Sequence, residues 1–250
     1  MTAPKVNFLV IGAQKAGTTA LDHYLRQHPA IGMARRKEVH FFDDEDAFAH
    51  GKPDYDLYER EFDFSSERTA YGECTPIYSY WAPSCERIRT YNPLMKLIAV
   101  LRDPVERAYS QWNMEFNRGD EHRDFRTAVR DELEQRERDP SLQHRVFSYL
   151  GRGFYSEQIE LFQRAFDPHQ LLFIKYDDLK VDPQAQLRRI FDHIHVDVRL
   201  FHFTPAELNP TAYRSVLEPE TARELRALFA PDIRKVEVLL GWDLSRWQTT

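Results

Sequence analysis

The sequence has few cysteines, no long apolar segment and no excess of positive charge. Only two cysteines occur among 250 residues, Cys74 and Cys85, and the N-terminus lacks the pattern of a secretory signal. Free thiols in a reducing cytoplasm are therefore expected. No stretch approaches the roughly 18 apolar residues of a membrane span. The net charge of -6 disfavours a general attraction to nucleic acid, so any anion site must be a local basic pocket.

The composition and the apolar pattern predict one α/β domain over residues 1–250. The chain is 42% hydrophobic and 30% charged, which allows a sizeable core. Apolar runs predict strands at residues 7–11, 97–101, 171–174 and, more weakly, 31–34 and 70–73, with helices at 18–27, 105–116, 155–166, 183–194 and 219–240. This alternation predicts a mostly parallel sheet with helices on both faces, which binds ligands at the carboxyl ends of its strands. Residues 118–145, the most charged region, predict a solvated helix, with a substrate-facing lid as the alternative.

The stretch GAQKAGTT, residues 12–19, has the features of a phosphate-binding loop. Gly12 and Gly17 permit unusual backbone angles and close approach, and a helix starting near Thr18 would point its N–H groups at the same place. A Walker loop has lysine after the second glycine, whereas here the only lysine of the loop is Lys15. No convincing magnesium-binding aspartate follows a strand, so a metal-dependent triphosphate enzyme is disfavoured. A plain strand-to-helix turn is the alternative.

A second phosphate signal lies in KLIAVLRDPVERAYSQW, residues 96–112. Arg102 ends the predicted strand and can fork onto a phosphate, and Ser110 lies two helical turns downstream, where its hydroxyl could donate. The alternative is an arginine paired with Asp103 or Glu106. Two phosphate-binding segments without magnesium carboxylates suggest a nucleotide that carries two separate phosphates.

Together these motifs resemble those of the nucleotide-dependent sulfotransferases, especially the branch of the heparan sulfate sulfotransferases and their bacterial relatives. GAQKAGTT resembles the family's 5′-phosphosulfate loop and LRDPVERAYSQW its 3′-phosphate motif. Between them, KEVHFFD, residues 37–43, resembles the segment that carries the catalytic glutamate. Further segments match recurring family patterns: GECTPIYSY, GFYSEQIELF, FIKYDDLKVDP and GWDLSRW.

The resemblance implies a P-loop-like fold, 3′-phosphoadenosine 5′-phosphosulfate (PAPS) as donor, 3′-phosphoadenosine 5′-phosphate (PAP) as product, and no metal. Lys15 would neutralise the leaving phosphate, as cations do in phosphoryl transfer. Arg214 is a candidate clamp on the 3′-phosphate, with a plain surface arginine as the alternative. The implied donor-binding set is Gly12, Ala13, Gln14, Lys15, Ala16, Gly17, Thr18, Thr19, Arg102, Ser110 and Arg214.

The resemblance also implies catalytic and acceptor-binding residues. Glu38 matches the general base, preferably with a pKa raised towards neutrality by a dry site. His40 is a second catalytic candidate, because it shares a face with Glu38 if the segment is extended. Asp43 would help to place the acceptor, and the acceptor-binding set also includes Lys37, His40 and, as an aromatic residue that could line the cleft, Tyr78. Without the family, Glu38 fits a surface carboxylate, His40 a packing residue and Tyr78 a core residue.

One departure concerns the segment GECTP, where many glycan sulfotransferases have a lysine at the position of Cys74. Lys37 or Arg152 could supply the missing charge, or the acceptor could have different needs; a nucleophilic or redox role for Cys74 is disfavoured. The expected acceptor is a hydroxyl or amine on a saccharide, glycolipid or secondary metabolite, with no nucleic-acid partner. The alternative functions are a nucleotide or small-molecule kinase and a non-catalytic nucleotide-binding module.

Overall fold

The five predicted strands form one parallel sheet. The structure is a computed structural model that describes residues 5–49, 51–65, 67–205, 213 and 215–249. Within these residues the strands are β1 (Phe8–Gly12), β2 (Ile31–Met33), β3 (Ala70–Cys74), β4 (Lys96–Leu101) and β5 (Leu171–Lys175). Their order is β2-β3-β1-β4-β5, and each neighbouring pair is parallel. The predicted α/β fold is confirmed.

Helices connect these strands, as a parallel sheet requires. The described helices are α1 (Thr18–Arg26), α2 (Glu45–Phe48), α3 (Tyr55–Glu59), α4 (Ala82–Tyr91), α5 (Pro104–Arg118), α6 (Phe125–Arg138), α7 (Tyr155–Ala165), α8 (Tyr176–Val181), α9 (Pro183–His193), α10 (Pro219–Leu240) and α11 (Arg246–Thr249). The bounds of the five predicted helices agree within two residues with those of the observed helices α1, α5, α7, α9 and α10. In the charged region, α6 buries Phe125, Ala128, Val129 and Glu132, and most of its other residues are exposed or half-buried.

The strands β1, β3 and β4 lie where their sequences predict because each is almost entirely buried, whereas β5 is mostly half-buried. All five residues of β1 and of β3 are buried, as are five of the six residues of β4. Strands covered on both faces are apolar throughout rather than alternating. The register pairs Phe8 of β1 with Gly72 of β3 and Lys96 of β4. GAQKAGTT therefore begins at the carboxyl end of a central strand.

The chain divides into two compact units, and the prediction of one domain over residues 1–250 stays a prediction. The first unit comprises residues 1–101 and 161–208 and contains the whole sheet; the second comprises residues 102–160 and 209–250. Both cysteines are buried in the first unit as free thiols. No helix within the described ranges is long and apolar enough to cross a membrane.

An aromatic cluster anchors the chain that follows β2 in the first unit. The ring of Phe42 lies 5.1 Å from that of Tyr58 in α3, and 5.6 Å from those of Tyr78 and of Tyr91 in α4. The ring of Phe41 stacks on Tyr58 with centroids 4.7 Å apart. These contacts hold residues 41 and 42 in the core and fix the end of the segment that contains Glu38.

Candidate active site

The loop GAQKAGTT has a geometry that only small residues allow at two positions. A Cβ atom on Gly12 would lie 2.4 Å from Ser79 Oγ, and one on Gly17 would lie 2.9 Å from the ring of Tyr176. Gly17 also has a φ of 82°, and Lys15 has a φ of 69°, both in the left-handed region. Glycine at both positions therefore leaves room for the side chains of Ser79 and Tyr176.

The first turn of α1, which follows this loop, has no side-chain cap and no acidic residue to balance the helix dipole. The N-cap residue is Gly17, which has no side chain to cap the first turn, and the first turn contains no acidic residue. The first N–H groups of a helix and its dipole attract anions. The loop itself is fixed by hydrogen bonds from Ala13 N to Val100 O, 2.7 Å, and from Ala16 N to Ala13 O, 3.1 Å. The arrangement fits a phosphate group.

Four predicted residues of the same unit, Lys37, Glu38, His40 and Asp43, form one charged group that we call the Glu38 cluster. Lys37 Nζ donates to Glu38 Oε1. His40 Nε2 lies 3.6 Å from Glu38 Oε2, and His40 Nδ1 lies 3.1 and 3.2 Å from the two oxygens of Asp43. Asp43 is fully buried, so its contact with an acceptor would run through His40.

The charges of the cluster reverse the pKa shift that the sequence favours for Glu38. Burial acts to raise the pKa of Glu38, but the hydrogen bond with His40 and the charge of Lys37 outweigh it and lower the pKa to about 2. The hydrogen bonds with Asp43 and Glu38 raise the pKa of His40 to about 9. The expectation of a raised Glu38 pKa is therefore wrong. At neutral pH His40 is protonated, and a protonated imidazole cannot accept another proton.

Titration of His40 tests this pairing. We expect its imidazole to titrate near pH 9, well above the usual 6.5, and Asp43→Asn to lower that midpoint. Because the folded pKa is the higher one, the pairing stabilises the fold fully below pH 6.5, and the stabilisation is lost as the pH rises through 9. NMR of the histidine ring, assigned with a His40→Asn variant, measures the midpoint. A native midpoint near 6.5 would contradict the pairing.

The backbone brings Glu38 and His40 together by a route that the sequence did not suggest. An extended segment would place them on one face, but both residues have positive φ values, 62° for Glu38 and 59° for His40. Such angles are uncommon for residues other than glycine and persist where the surroundings over-determine them. Glu38 and His40 lie close together, but the condition on which the sequence argument placed them on one face, an extended segment, is not met.

Glu73, next to this segment, is a buried acid that the sequence prediction missed. Its side chain is fully buried, and burial raises the pKa of its carboxyl while hydrogen bonds act in the opposite direction. The donors are Tyr78 Oη at 2.8 Å, Tyr58 Oη at 3.4 Å, Thr75 Oγ1 at 2.5 Å and Val39 N at 3.3 Å. The sequence could have indicated this site, because Glu73 is an acidic residue within the otherwise apolar strand β3. A buried carboxylate needs hydrogen-bond donors around it.

The predicted 3′-phosphate residues lie in the second unit. Arg102 donates to Glu106 Oε2 from Nε at 3.2 Å and from Nη2 at 2.9 Å, so the alternative pairing is present in this structure. Ser110 is buried in α5. Asp103 caps α5 by accepting from the backbone N–H groups of Val105 and Glu106 at 2.8 and 3.1 Å. A 3′-phosphate site at Arg102 and Ser110 stays a prediction.

Two further expectations concern Arg214 and metal. Arg214 lies outside the described residues. In the part of the chain that the structure describes, no group of three or more His, Cys, Asp and Glu side chains could hold a metal ion.

A comparison with protein families identifies the relationship that these features suggest. A family model described as a sulfotransferase domain matches residues 5–219. The chain belongs to the sulfotransferase family. The resemblance to this family that the sequence motifs indicated is confirmed. The matched residues include the glycine loop, the Glu38 cluster, Arg102 and Ser110.

Named sulfotransferases are similar over nearly the whole chain. Heparan sulfate glucosamine 3-O-sulfotransferase 3A1 of Mus musculus is 29% identical over 265 residues, covering 95% of this chain and 63% of that protein. A sulfotransferase structure from Alicyclobacillus acidocaldarius has a TM-score of 0.83 at 28% identity, covering 98% of this chain and 100% of that one. Mouse sulfotransferase SULT7A1, complexed with PAP, shares the fold with a TM-score of 0.56 at 16% identity, over 94% and 85% of the two chains. The chain spans less than two thirds of the length of the mouse 3-O-sulfotransferase.

Burial bears on the expectations for Tyr78 and Cys74. Tyr78 is fully buried, with its hydroxyl donating to Glu73, which argues against direct contact with an acceptor and fits the core alternative. Cys74 is also fully buried, and burial raises the pKa of its thiol, which disfavours a nucleophilic role. Lys37, one of the two candidate replacements for the missing lysine, donates to Glu38. Arg152 is buried in the second unit, where it donates to the carbonyl of Arg145.

Proposed function

We propose that this protein transfers a sulfuryl group from PAPS to a hydroxyl or amine of a small-molecule or glycan acceptor. The observation that carries the proposal is the presence, in one compact unit, of a lysine-containing glycine loop and the Glu38 cluster. The PAP complex of the mouse fold relative supports the donor, and the named 3-O-sulfotransferase supports a glycan acceptor. The cytoplasmic location and the absence of metal stay predictions.

On the donor side, the loop would bind the 5′-phosphosulfate. The start of α1 and the loop N–H groups would hold the 5′-phosphate, with the hydroxyls of Thr18 and Thr19 as further donors. The Lys15 ammonium would stabilise the negative charge that develops on the leaving phosphate as its oxygen separates from sulfur. Arg102 and Ser110 would hold the 3′-phosphate, which distinguishes this donor from ATP.

On the acceptor side, Glu38 would accept the proton. With a pKa of about 2, its carboxylate is ionised throughout the physiological range, although it is a weak base. A weak base suffices if proton transfer follows S–O bond formation, because an acceptor oxygen bonded to sulfur becomes strongly acidic. The S–O bond to the acceptor forms, the S–O bond to the leaving phosphate breaks, and the acceptor proton passes to Glu38. Lys37 and His40 would hold Glu38 and the acceptor in place.

A comparison of nucleotide affinities tests the donor. In buffer containing EDTA, we expect PAP to bind at least about ten times more tightly than ADP, a gap of about 1.4 kcal/mol. Arg102→Ala should remove most of that gap because it removes a charge facing the 3′-phosphate. Titration calorimetry measures both affinities.

The matched control is Arg126→Ala, which removes an arginine of the same unit that pairs with Glu220 and Glu224 at 3.0 and 3.1 Å. It should leave the preference for PAP unchanged. Equal affinities of PAP and ADP in the native protein would contradict the two-phosphate donor. A preference for ATP that requires Mg²⁺ would instead favour the kinase.

A further inference from the structure

Residues 38–42, which we call the Glu38 segment, need support from outside the segment. They contain no helix or strand, and two of the five residues, Glu38 and His40, have left-handed backbone angles. A backbone of this kind relaxes unless neighbouring groups hold it. The side chains of Glu38 and His40 keep their relative positions only if that support is rigid.

The support comes from three buried side chains that meet at one carboxylate. Glu73, Thr75 and Tyr78 are each fully buried, and the hydroxyls of Thr75 and Tyr78 both donate to Glu73. Each of the three accepts from the backbone of the Glu38 segment: Val39 N to Glu73 Oε2 at 3.3 Å, His40 N to Thr75 Oγ1 at 3.5 Å, and Phe41 N and Phe42 N to Tyr78 Oη at 3.0 and 3.4 Å. Four consecutive N–H groups of the segment thus reach one network.

The direction of these hydrogen bonds makes Glu73 the centre of the network. A hydroxyl has one hydrogen to donate, and Tyr78 and Thr75 each donate theirs to Glu73. Their oxygen lone pairs are thereby left to accept from the backbone of the Glu38 segment. Without the carboxylate, each hydroxyl could turn its hydrogen towards those N–H groups. Two hydrogen-bond donors would then face each other, and the hydrogen bond to the segment would be lost.

We propose that Glu73 is a positioning residue: acting through Tyr78 and Thr75, it fixes the backbone of the Glu38 segment and so sets the placement of Glu38 against His40. Only the expected effect of Glu73 on turnover rests on the proposed function. The structural part of the proposal, the placement of two side chains, is independent of which reaction the protein performs.

The chain offers a matched pair of tyrosines for the test. Tyr78→Phe removes a hydroxyl that links Glu73 to the segment, because it donates to Glu73 and accepts from Phe41 N and Phe42 N. Tyr58→Phe removes a hydroxyl that donates its hydrogen to the same Glu73 oxygen, at 3.4 Å. Both changes delete one buried hydroxyl bonded to one carboxylate. They therefore separate the link to the segment from a general loss of buried hydrogen bonding.

The first measurement uses the protein without nucleotide and follows the NMR titration of the His40 ring. The carboxylates that act on His40 are those of Asp43, Glu38 and Glu73, and Tyr78→Phe removes none of them. A lower His40 midpoint in Tyr78→Phe, with the native midpoint in Tyr58→Phe, is the expected result. Native midpoints in both variants, or equal shifts in both, would overturn the positioning role whatever reaction the protein catalyses.

The second measurement separates turnover from donor binding. In Tyr78→Phe we expect kcat to fall about tenfold, the scale on which a small misplacement acts, while PAP affinity stays within about twofold. Tyr58→Phe should keep kcat within about twofold. Thr75→Val should resemble Tyr78→Phe, and Thr75→Ser, which restores the hydroxyl, should recover turnover. Equal losses of kcat and PAP affinity in Tyr78→Phe would indicate a general structural effect and overturn the proposal.

The two measurements also keep this proposal distinct from the proposed function. If native protein shows no sulfuryl transfer and no preference for PAP, the proposed function fails, while the titration of His40 still decides the role of Glu73. If PAP binds and acceptors are sulfated but the two tyrosine variants behave alike, the positioning role fails and the proposed function remains.

Discussion

Replacement of Glu38 by glutamine is expected to lower turnover by roughly 10²–10⁴, the usual contribution of a positioned general base. Glutamine preserves the size of the side chain and part of its hydrogen bonding, but an amide does not accept the acceptor proton. Nucleotide affinity should stay within about twofold, because the predicted donor contacts lie in the glycine loop and at Arg102 and Ser110. Steady-state turnover with a working acceptor, measured beside PAP affinity by calorimetry, separates the two effects.

The matched control for this change is Glu61→Gln. Glu61 also belongs to the first unit and pairs with Arg36, with Nε and Oε1 3.3 Å apart. Loss of that surface carboxylate should leave turnover nearly unchanged, since exposed ion pairs have small effects. Near-normal turnover in Glu38→Gln would remove Glu38 as the base, and variants of His40 would then be tested.

Replacement of Lys15 by alanine should reduce both turnover and nucleotide binding. We expect a loss of roughly 10²–10³ in turnover, the scale seen when one group that stabilises transition-state charge is removed. PAP should bind about tenfold more weakly, because the ammonium would also contact the 5′-phosphate before reaction. This double effect distinguishes Lys15 from Glu38, whose loss should affect turnover alone.

Lys180→Ala supplies the control for charge, because Lys180 is an exposed lysine of α8 in the same unit. Its loss should change neither quantity by more than about twofold. If Lys15→Ala retained native turnover and native PAP affinity, the loop lysine would have no part in the reaction. The position of lysine inside the loop would then need a different explanation.

The sequence predicted the sheet well because its three inner strands, β3, β1 and β4, are buried along almost their whole length. Residues 8–12 and 96–101 are apolar without interruption apart from Gly12 and Lys96, and the loop and the helix that follow carry recognisable glycine, proline and capping signals. The short helices α2 and α3 and the helix α4 were not predicted. They lack a long apolar period, and aromatic contacts between distant segments hold them in place.

The electrostatics of the site could not be predicted in the same way. The pKa of Glu38 is lowered because both His40 and Lys37 contact its carboxylate. This arrangement depends on the left-handed backbone angles of Glu38 and His40, which no local sequence pattern predicts. Tyr78 was expected at the acceptor because aromatic residues can line an acceptor cleft, with a core residue as the alternative. Its actual partner, Glu73, is defined only when β3 and the chain after it fold together.

The uncapped start of α1 is expected to couple the stability of the fold to the binding of an anion. Gly17 provides no side-chain cap, so an anion that accepts from the N–H groups of the first turn of α1 would complete it. The phosphate would then act as the missing cap. Amide hydrogens of this turn would exchange with solvent faster in the nucleotide-free protein, and local opening would begin there. In a cell, the resistance of the chain to proteases would consequently follow the supply of sulfated and desulfated nucleotide.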